Sequence, residues 1–319
     1  MYIINNTMNI YISDTDSRIY TSEPLHIQCY FEYEISKIGL ILVYPIDFQV
    51  PSEKKLERLL LIPFTHGNNL WHLTLHLYTT YKYSIEHNLE ITDIFPIFFE
   101  GFYSRNASSP ETIYKDLLFN GMGFNYENFV EIRNIFRLGK YIRAERVDYV
   151  DSSIEFNNEP LFNNFKEFVM KNLKVQYSTN IYEKRVTFIL RRGTREIMNI
   201  DEVREKLSRL PTKINYIYLE DYSIREQLEI LANTHLLIGM HGAGLTWGIF
   251  MKTRSIMIEM FPGNASSNDY RNWCRVANIQ YNSLGVDIKE GSVEDFRNCR
   301  VVLNNKQIGE IKRKCLINQ

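Results

Sequence analysis

Short apolar runs alternate with amphipathic segments through the second half of the chain. The apolar runs predict buried β-strands at residues 186–190, 214–219, 235–240 and 255–260. The segments between them predict helices at 201–210 and 223–233, and Ser223 and Glu226 have the spacing of a capping box. Strands that alternate with helices need crossover connections, which produce a parallel sheet covered by helices. We therefore expect an α/β lobe of the Rossmann-like type.

The first half carries a weaker pattern of the same kind. Apolar runs at residues 38–44, 59–63 and 94–99 predict three buried strands. Residues 69–78 predict a helix capped at Asn68 or Asn69, although their alternation of polar and apolar positions also fits a strand. We expect a second, reduced Rossmann-like lobe in this half.

A change of composition separates the two halves. Residues 151–164 are rich in Asn, Ser and acidic residues and contain Pro160, which is typical of an interdomain linker, and a helix is predicted at 165–173. A chain of 319 residues is long enough for about two domains. The sequence therefore predicts an N-terminal domain at residues 1–155 and a C-terminal domain at 165–319.

Composition and charge argue against several classes of protein. A net charge of −1 lacks the basic surplus that binds nucleic acids and anionic membranes. The four cysteines are too dispersed for a disulfide framework or a cysteine-based zinc site. No stretch approaches the ~20 apolar residues of a membrane span, and the N-terminus has no signal-peptide pattern. As written, the chain is expected in the cytoplasm; with a signal preceding it, it would enter the secretory pathway.

Arginines follow the first predicted strand of the second half. Ligands of open α/β sheets bind beyond the carboxyl ends of the strands, so residues at these ends are candidates for chemistry. Arg191, Arg192 and Arg195 come directly after the strand at 186–190, and guanidinium groups match phosphate oxygens. Because strand side chains alternate between faces, Arg191 and Arg192 are not expected in the same cleft unless the strand has already ended.

Two further strand ends carry candidate ligand-binding residues. The strand at 235–240 is followed by His241, Gly242, Ala243, Gly244, Leu245 and Thr246. Glycines let a ligand approach the backbone, and N–H groups at a helix start bind anions. Glu259 lies near the end of the strand at 255–260, where a carboxylate can accept ribose hydroxyls. Each feature alone is usually structural, but three at one sheet edge predict a nucleotide-diphosphate site.

Several of these stretches resemble glycosyltransferase family 61, the group that holds plant xylan-decorating transferases and protein O-linked N-acetylglucosamine transferases. The matching residues are 186–195 with Asn199, 223–227, 237–246, and 256–262 with Tyr270 and 277–281 behind them. In the first half the match is limited to residues 69–72, which have the pattern Asn-x-x-His.

The resemblance implies a GT-B arrangement, in which two Rossmann-like lobes face a cleft. It implies an inverting transfer of N-acetylglucosamine or a pentose from a UDP-sugar to a hydroxyl of a protein or glycan, without a metal. By the same resemblance Arg191 and Arg195 face the diphosphate, which His241 and the glycine loop hold. Glu259 takes the ribose, and His72 faces the acceptor. Inversion needs a base on the acceptor hydroxyl, for which His72 is the candidate.

Two rival functions stay open. Residues 242–248 approximate the glycine fingerprint of dinucleotide-binding enzymes, and Glu259 follows at nearly the expected distance. An NAD-dependent oxidoreductase is therefore the rival enzyme. A relative that binds a sugar nucleotide or glycan without turnover is the non-enzymatic rival.

Two short patterns are typical of metal sites but lack supporting ligands. His72 and His76 are one helical turn apart, yet the glutamate of the metalloprotease pattern and a third ligand are missing. Asp14 and Asp16 form the Asp-x-Asp that holds a metal in the other large transferase architecture. They precede any nucleotide-binding strand, and we interpret them as a surface turn.

Overall fold

The computed structural model describes residues 10–13, 18–21, 54–62, 69–94, 96–98, 114–128, 142–149, 159–179 and 184–317. The chain divides into two compact units. The first contains Met1–Asn68 and Leu75–Ser153, and the second contains Asn69–Thr74 and Ile154–Gln319. The predicted strand at 38–44 and the Asp14/Asp16 pattern lie outside the described residues.

The first unit contains a three-stranded parallel sheet. Strand β3 (Lys54–Ile62) lies between β4 (Pro96–Phe98) and β5 (Ile142–Tyr149). Strands β1 (Ile10–Ser13) and β2 (Arg18–Thr21) form a separate antiparallel pair. The strand predicted at 59–63 is confirmed and begins earlier than expected. The strand predicted at 94–99 is observed at Pro96–Phe98, and a 3-10 turn at Ile91–Asp93 precedes it.

The segment at 69–78, whose pattern fitted either a helix or a strand, is part of a long helix, Leu70–Glu86. The side chain of Asn69 accepts a hydrogen bond from the Trp71 amide at 3.0 Å, which satisfies one of the free N–H groups at the helix start. Leu73 and Leu77, one turn apart, are both fully buried. The helix interpretation and its cap at Asn69 are confirmed, and the strand interpretation is wrong. A π-helical turn follows at Asp116–Gly121.

The helix predicted at 165–173 begins earlier than the sequence suggested. It spans Glu159–Asn172, so the predicted linker at 151–164 is wrong over its last six residues. Pro160 was interpreted as a linker residue. Proline is nevertheless well tolerated in the first turn of a helix, because the N–H group that it lacks would have no partner there. The apolar residues Phe162, Phe165 and Val169 of this helix are fully buried.

The second unit contains a six-stranded sheet in the order β11-β10-β9-β8-β6-β7. Its strands are β6 (Val186–Leu190), β7 (Ile214–Tyr218), β8 (Leu236–Met240), β9 (Ile256–Pro262), β10 (Gln280–Glu290) and β11 (Arg300–Val302). All neighbouring pairs are parallel except β10 and β11. The predicted α/β fold with a parallel sheet is confirmed. The central strands β6, β8 and β9 are buried at every position, as their mainly apolar sequence predicts.

Helices cover both faces of this sheet. Ile200–Leu207 and Asn305–Ile317 pack together on one face. Ile224–Ala232, the 3-10 helix Ala243–Phe250 and Asp269–Val276 pack together on the other. The helix predicted at 223–233 is confirmed, with Ser223 and Glu226 forming the capping box. None of the helices in the described ranges is long and apolar enough to cross a membrane.

The strand order contains a topological switch between β6 and β8. The chain leaves β6 toward β7 on one side and leaves β8 toward β9 on the other side. Loops that leave adjacent strands in opposite directions open a crevice at the carboxyl end of the sheet, where ligands of doubly wound folds bind. In this protein those loops begin at Arg191 and His241.

Candidate functional site

The guanidinium groups of Arg191 and Arg195 converge on the turn at Gly242. A Cβ atom placed on Gly242 would lie 2.4 Å from Nη1 of Arg191 and 3.5 Å from Nη2 of Arg195. Nη1 of Arg195 donates a hydrogen bond to the carbonyl of His241 at 2.7 Å. Arg191 is braced by Thr194, whose carbonyl and hydroxyl accept bonds from Nε and Nη2. The crevice between β6 and β8 therefore contains two positive charges next to the backbone of Gly242, which has no side chain to cover it.

Arg192 points elsewhere. Because β6 ends at Leu190, Arg191 and Arg192 both lie beyond the strand, and the alternation of strand side chains does not decide their directions. It pairs with Glu220 at 2.9 Å and Asp221 at 2.8 Å, and it stacks on the ring of Tyr218. These partners lie at the end of β7, so Arg192 ties two strand ends together at the surface. The arginine run thus separates into a paired surface residue and two residues directed at the glycine turn.

Arg191 and Arg195 differ from Arg192 in having no carboxylate within 4 Å among the residues that the structure describes. Nη1 of Arg191 and Nε of Arg195 make no hydrogen bond to these residues, and Nε of Arg195 is buried. Burial lowers the pKa of Arg191. Burial and the positive charges of Arg191 and Arg297 lower the pKa of Arg195 to about 10. Two partly desolvated cations with unused donors form a site suited to an anion.

The turn after β8 has a backbone that only glycine adopts easily. Gly242 has φ +154° and ψ 166°, a region essentially confined to glycine. Its carbonyl accepts hydrogen bonds from the Tyr270 hydroxyl at 2.8 Å and the Leu245 amide at 2.9 Å. Tyr270 is fully buried and also contacts the Thr246 hydroxyl at 3.2 Å. The turn is therefore held rigidly beside the two arginines.

The predicted loop residues differ in position and burial: Gly242 is buried, and Ala243 and Gly244 are partly exposed. Gly242, Ala243 and Gly244 lie at or just before the first turn of the 3-10 helix Ala243–Phe250, where backbone N–H groups have no partner within the helix. The side chains of Leu245 and Thr246 are buried in the core instead. A direct side-chain contact of these two residues with a ligand is therefore not supported by the structure.

Glu259 is completely buried inside β9, which continues to Pro262. Oε1 lies 2.6 Å from Nδ1 of His241, and Oε2 accepts a hydrogen bond from the Tyr281 hydroxyl, also at 2.6 Å. The expected contact of Glu259 with a ribose disagrees with this geometry. Both carboxylate oxygens already have protein partners, and no part of the side chain is accessible.

The ring of His241 lies between the buried carboxylate and the surface. It stacks on Phe261 and contacts Tyr270 edge-on, and 17% of the side chain is exposed. Nδ1 faces Glu259, whereas Nε2 makes no hydrogen bond to any residue in the described ranges. The exposed nitrogen of His241 is therefore available to a ligand.

His72 and His76 occupy different environments on the helix Leu70–Glu86. His72 is in the first turn, partly exposed, with its ring edge-on to Trp71 at a centroid distance of 4.8 Å. His76 is buried. Within the described parts of the chain no group of three His, Cys, Asp or Glu residues could hold a metal ion. His72 belongs to the second compact unit, and its role toward an acceptor stays a prediction.

Two functional residues had no assigned role in the sequence. Tyr270 fixes the glycine turn, and Tyr281 fixes Glu259. Tyr281 is near the start of β10 and pairs with Met257, two residues before Glu259. Only the register of two parallel strands reveals that its hydroxyl reaches this carboxylate. The sequence offered a single signal for either tyrosine, namely that both lie within the stretches that resemble the family.

Sequence comparison relates this chain to a family of glycosyltransferases. The sequence profile of the family described as Glycosyltransferase 61 matches residues 40–258. EGF domain-specific O-linked N-acetylglucosamine transferase of Drosophila melanogaster is 31% identical over 127 residues, 39% of this chain and 24% of that protein. The enzyme of the same name from Xenopus laevis is 33% identical over 128 residues, 38% of this chain and 24% of that protein.

A second kind of relative is more distant. Protein O-linked-mannose beta-1,4-N-acetylglucosaminyltransferase 2 of Xenopus laevis is 28% identical over 107 residues, 33% of this chain and 18% of that protein. The chain thus spans about a quarter or less of the length of these curated relatives.

Solved structures give only remote similarity. The Escherichia coli heptosyltransferase WaaC with ADP is 9% identical, with a TM-score of 0.38 over 82% of this chain and 100% of that chain. The bacterial dodecameric glycosyltransferase TibC from enterotoxigenic E. coli is 11% identical, with a TM-score of 0.39 over 99% of this chain and 93% of that chain.

Proposed function

The chain belongs to glycosyltransferase family 61, and from that premise we propose that it transfers a sugar from a UDP-sugar to a hydroxyl of a protein or glycan. N-acetylglucosamine is the first candidate for the sugar, because the matched relatives are named as N-acetylglucosamine transferases. A pentose is the second candidate. Inversion at the anomeric carbon is part of the proposal, as is a GT-B arrangement of two lobes.

One observation carries the proposal: Arg191 and Arg195 face the Gly242 turn with unused donors and no carboxylate partner in the described structure. A diphosphate would supply the missing negative charge. The site lies at the switch between β6 and β8, where a ligand is expected in this kind of sheet.

The same pair of arginines would act in the chemical step. When a sugar leaves a UDP-sugar, negative charge develops on the phosphate oxygen that was bonded to it. Donors already fixed in position stabilise that charge without reorganisation, and they do so most strongly where water is excluded. Arg195 is such a donor, because its guanidinium is partly buried and held by the His241 carbonyl.

The acceptor hydroxyl must lose a proton during an inverting transfer. His72 is the proposed base, and His241 is proposed to contact the diphosphate through Nε2. His72 is partly exposed and its segment, Asn69–Thr74, belongs to the same compact unit as His241. Substitution of His72 by Asn is therefore expected to lower transfer to the acceptor while leaving UDP affinity unchanged.

The environment of Glu259 argues against the alternative function of an NAD-dependent oxidoreductase. An NAD site needs a carboxylate that is free to accept the ribose hydroxyls at the end of the second strand of the unit. Glu259 has no accessible surface, and its oxygens are held by His241 and Tyr281. A silent relative that binds sugar nucleotides would keep the same arginines, so turnover has to distinguish it.

Titration of UDP into matched arginine variants tests the proposal. Arg191→Ala and Arg195→Ala should each weaken UDP binding roughly ten- to hundredfold, since a charge-assisted hydrogen bond contributes about 1.5–3 kcal/mol. Arg192→Ala is the matched control, because it lies in the same loop but pairs with Glu220 and Asp221. It should bind UDP like the wild type.

Three outcomes separate the candidate functions. Hydrolysis or transfer of a UDP-sugar in a donor panel supports a transferase, with UDP-N-acetylglucosamine expected to be used. Binding of UDP without any turnover supports a silent binder. Thermal stabilisation by NAD but not by UDP, or equal UDP affinity in Arg191→Ala and Arg192→Ala, would contradict the proposed site.

A further inference from the structure

A chain of three hydrogen-bonded side chains runs from the core to the anion site. The Tyr281 hydroxyl donates to Oε2 of Glu259, and Oε1 of Glu259 meets Nδ1 of His241, both at 2.6 Å. The first two members come from neighbouring parallel strands and the third from the end of the next strand, so their spacing is set by the sheet itself. Glu259 is fully buried and His241 is partly exposed.

Burial of an ionised carboxylate destabilises the folded protein unless well-placed hydrogen-bond donors contact its oxygens. Moving an ionised group out of water costs several kcal/mol, and hydrogen bonds to both oxygens must offset this cost. In Glu259 those bonds come from Tyr281 and His241. A residue whose only role was to bind a ribose would need an accessible oxygen, which Glu259 lacks.

The carboxylate fixes which nitrogen of the imidazole carries hydrogen. An ionised carboxylate only accepts hydrogen bonds, so Nδ1 of His241 must donate to Glu259. Nε2 lies on the opposite side of the ring and has no hydrogen-bond partner among the described residues. The remaining protonation site therefore faces outward.

We propose that Glu259 is a positioning residue, which orients His241 so that Nε2 contacts the diphosphate, and that it does not bind the ribose of the donor. This inference rests on the proposed function of the site. An anion accepts a hydrogen bond from Nε2 only when that nitrogen carries hydrogen. Because Nδ1 already donates to Glu259, the bound form of His241 is the imidazolium, whose charge the buried carboxylate balances.

Diphosphate binding is then coupled to uptake of a proton. The sign follows directly: the ligand prefers protonated His241, so UDP affinity should fall as pH rises. The titratable and charged groups that the described structure places next to His241 or its hydrogen-bonded partners are Glu259 from β9, Tyr281 from β10, Tyr270, Arg271 and Cys274 from the helix Asp269–Val276, and Arg191 and Arg195 from the loop after β6. Glu259 is the carboxylate in direct contact with the ring.

Comparison of UDP with inorganic pyrophosphate separates the two roles of Glu259. If Glu259 positions His241, then Glu259→Gln weakens UDP and pyrophosphate by the same factor, about tenfold or more for a charge-assisted bond. If Glu259 binds ribose, the loss is confined to UDP and pyrophosphate affinity is unchanged. Glutamine keeps the shape of the side chain and can still bond to both partners. Glu229→Gln, on an exposed helix position, controls for removal of a distant charge.

Calorimetry in buffers of different ionisation enthalpy measures the proton uptake. Measured at mildly alkaline pH, the wild type should take up protons when UDP binds. Glu259→Gln should take up clearly fewer. Tyr281→Phe, which removes one hydroxyl from a half-buried ring, should show a smaller loss of affinity that is again equal for both ligands. This variant keeps the test decisive should Glu259→Gln fail to fold.

A ligand-free measurement distinguishes failure of this inference from failure of the proposed function. The ¹⁵N shifts of the His241 ring, assigned with His241→Asn, should show a protonated Nδ1 at neutral pH, and Glu259→Gln should mix the tautomers. A wild-type protein that binds neither UDP nor pyrophosphate would refute the proposed function. Normal binding with a UDP-only loss, no proton uptake, or an unprotonated Nδ1 would instead overturn the positioning role alone.

Discussion

Substitution of Gly242 by Ala tests the anion site through its geometry. The added Cβ would lie 2.4 Å from Nη1 of Arg191, about 1 Å closer than the 3.4 Å at which ordinary van der Waals contact begins. The guanidinium has to retreat, because the backbone of Gly242 is held by Tyr270. A shift of about 1 Å removes a hydrogen bond from Arg191 to the ligand. We expect UDP affinity to fall roughly ten- to hundredfold, corresponding to about 1.5–3 kcal/mol.

The same substitution also strains the backbone, and this effect is separable. At φ +154° an alanine costs about 1–3 kcal/mol of folding free energy, which lowers the melting temperature by several degrees for a unit of this size. Gly193→Ala is the matched control. Gly193 is in the same arginine loop with φ +77°, but nothing lies within 4 Å of its Cβ position. It should lose stability without losing UDP affinity.

Isothermal titration of UDP, together with thermal unfolding, distinguishes the two effects. The expected result is a stability loss in both glycine variants and an affinity loss in Gly242→Ala only. If folded Gly242→Ala bound UDP as tightly as Gly193→Ala, the apposition of Arg191 and the glycine turn would not form the binding site.

Two further predictions concern residues that support the site. Tyr270→Phe removes a hydroxyl that holds the Gly242 carbonyl, so urea unfolding should show a loss of about 1 kcal/mol and UDP binding should weaken; an unchanged variant would mean that Tyr270 does not fix the turn. Lys166 is buried, donates to the Met251 carbonyl, and has its pKa lowered by burial from 10.5 to about 8. Between these pH values the unfolded chain holds a proton that the folded protein lacks, so stability should rise with pH across this window, by on the order of 2–3 kcal/mol. Lys166→Met should abolish that rise in urea unfolding measured at about pH 8 and pH 10; an identical rise in both proteins would contradict the assignment.

Local sequence pattern was sufficient for most of the second unit. Short, mainly apolar runs bounded by polar or turn residues are typical of strands buried on both faces, and β6, β8 and β9 were predicted for that reason. Ser223 and Glu226 predicted the start of the helix Ile224–Ala232, because the capping box is a contact between residues that are close in the sequence.

Sequence features that are compatible with two local structures were less reliable predictors of the fold. Pro160 was read as a linker residue but lies in the first turn of Glu159–Asn172, where proline is equally acceptable. Glu259 was read as a strand-end ligand because Phe261, Pro262 and Gly263 suggested that the strand had ended. The strand instead continues to Pro262, which places the carboxylate inside the sheet.

The sequence by itself determined where β6 and β8 end, and therefore that Arg191 and His241 reach the edge where a ligand binds. What only the tertiary structure decided is how those side chains meet. The strand order brings β6 beside β8, and with them Arg191 and Arg195 beside Gly242. The register of β9 and β10 brings Tyr281 to Glu259. Strand order and register depend on packing across the whole sheet, and no local pattern of residues encodes them.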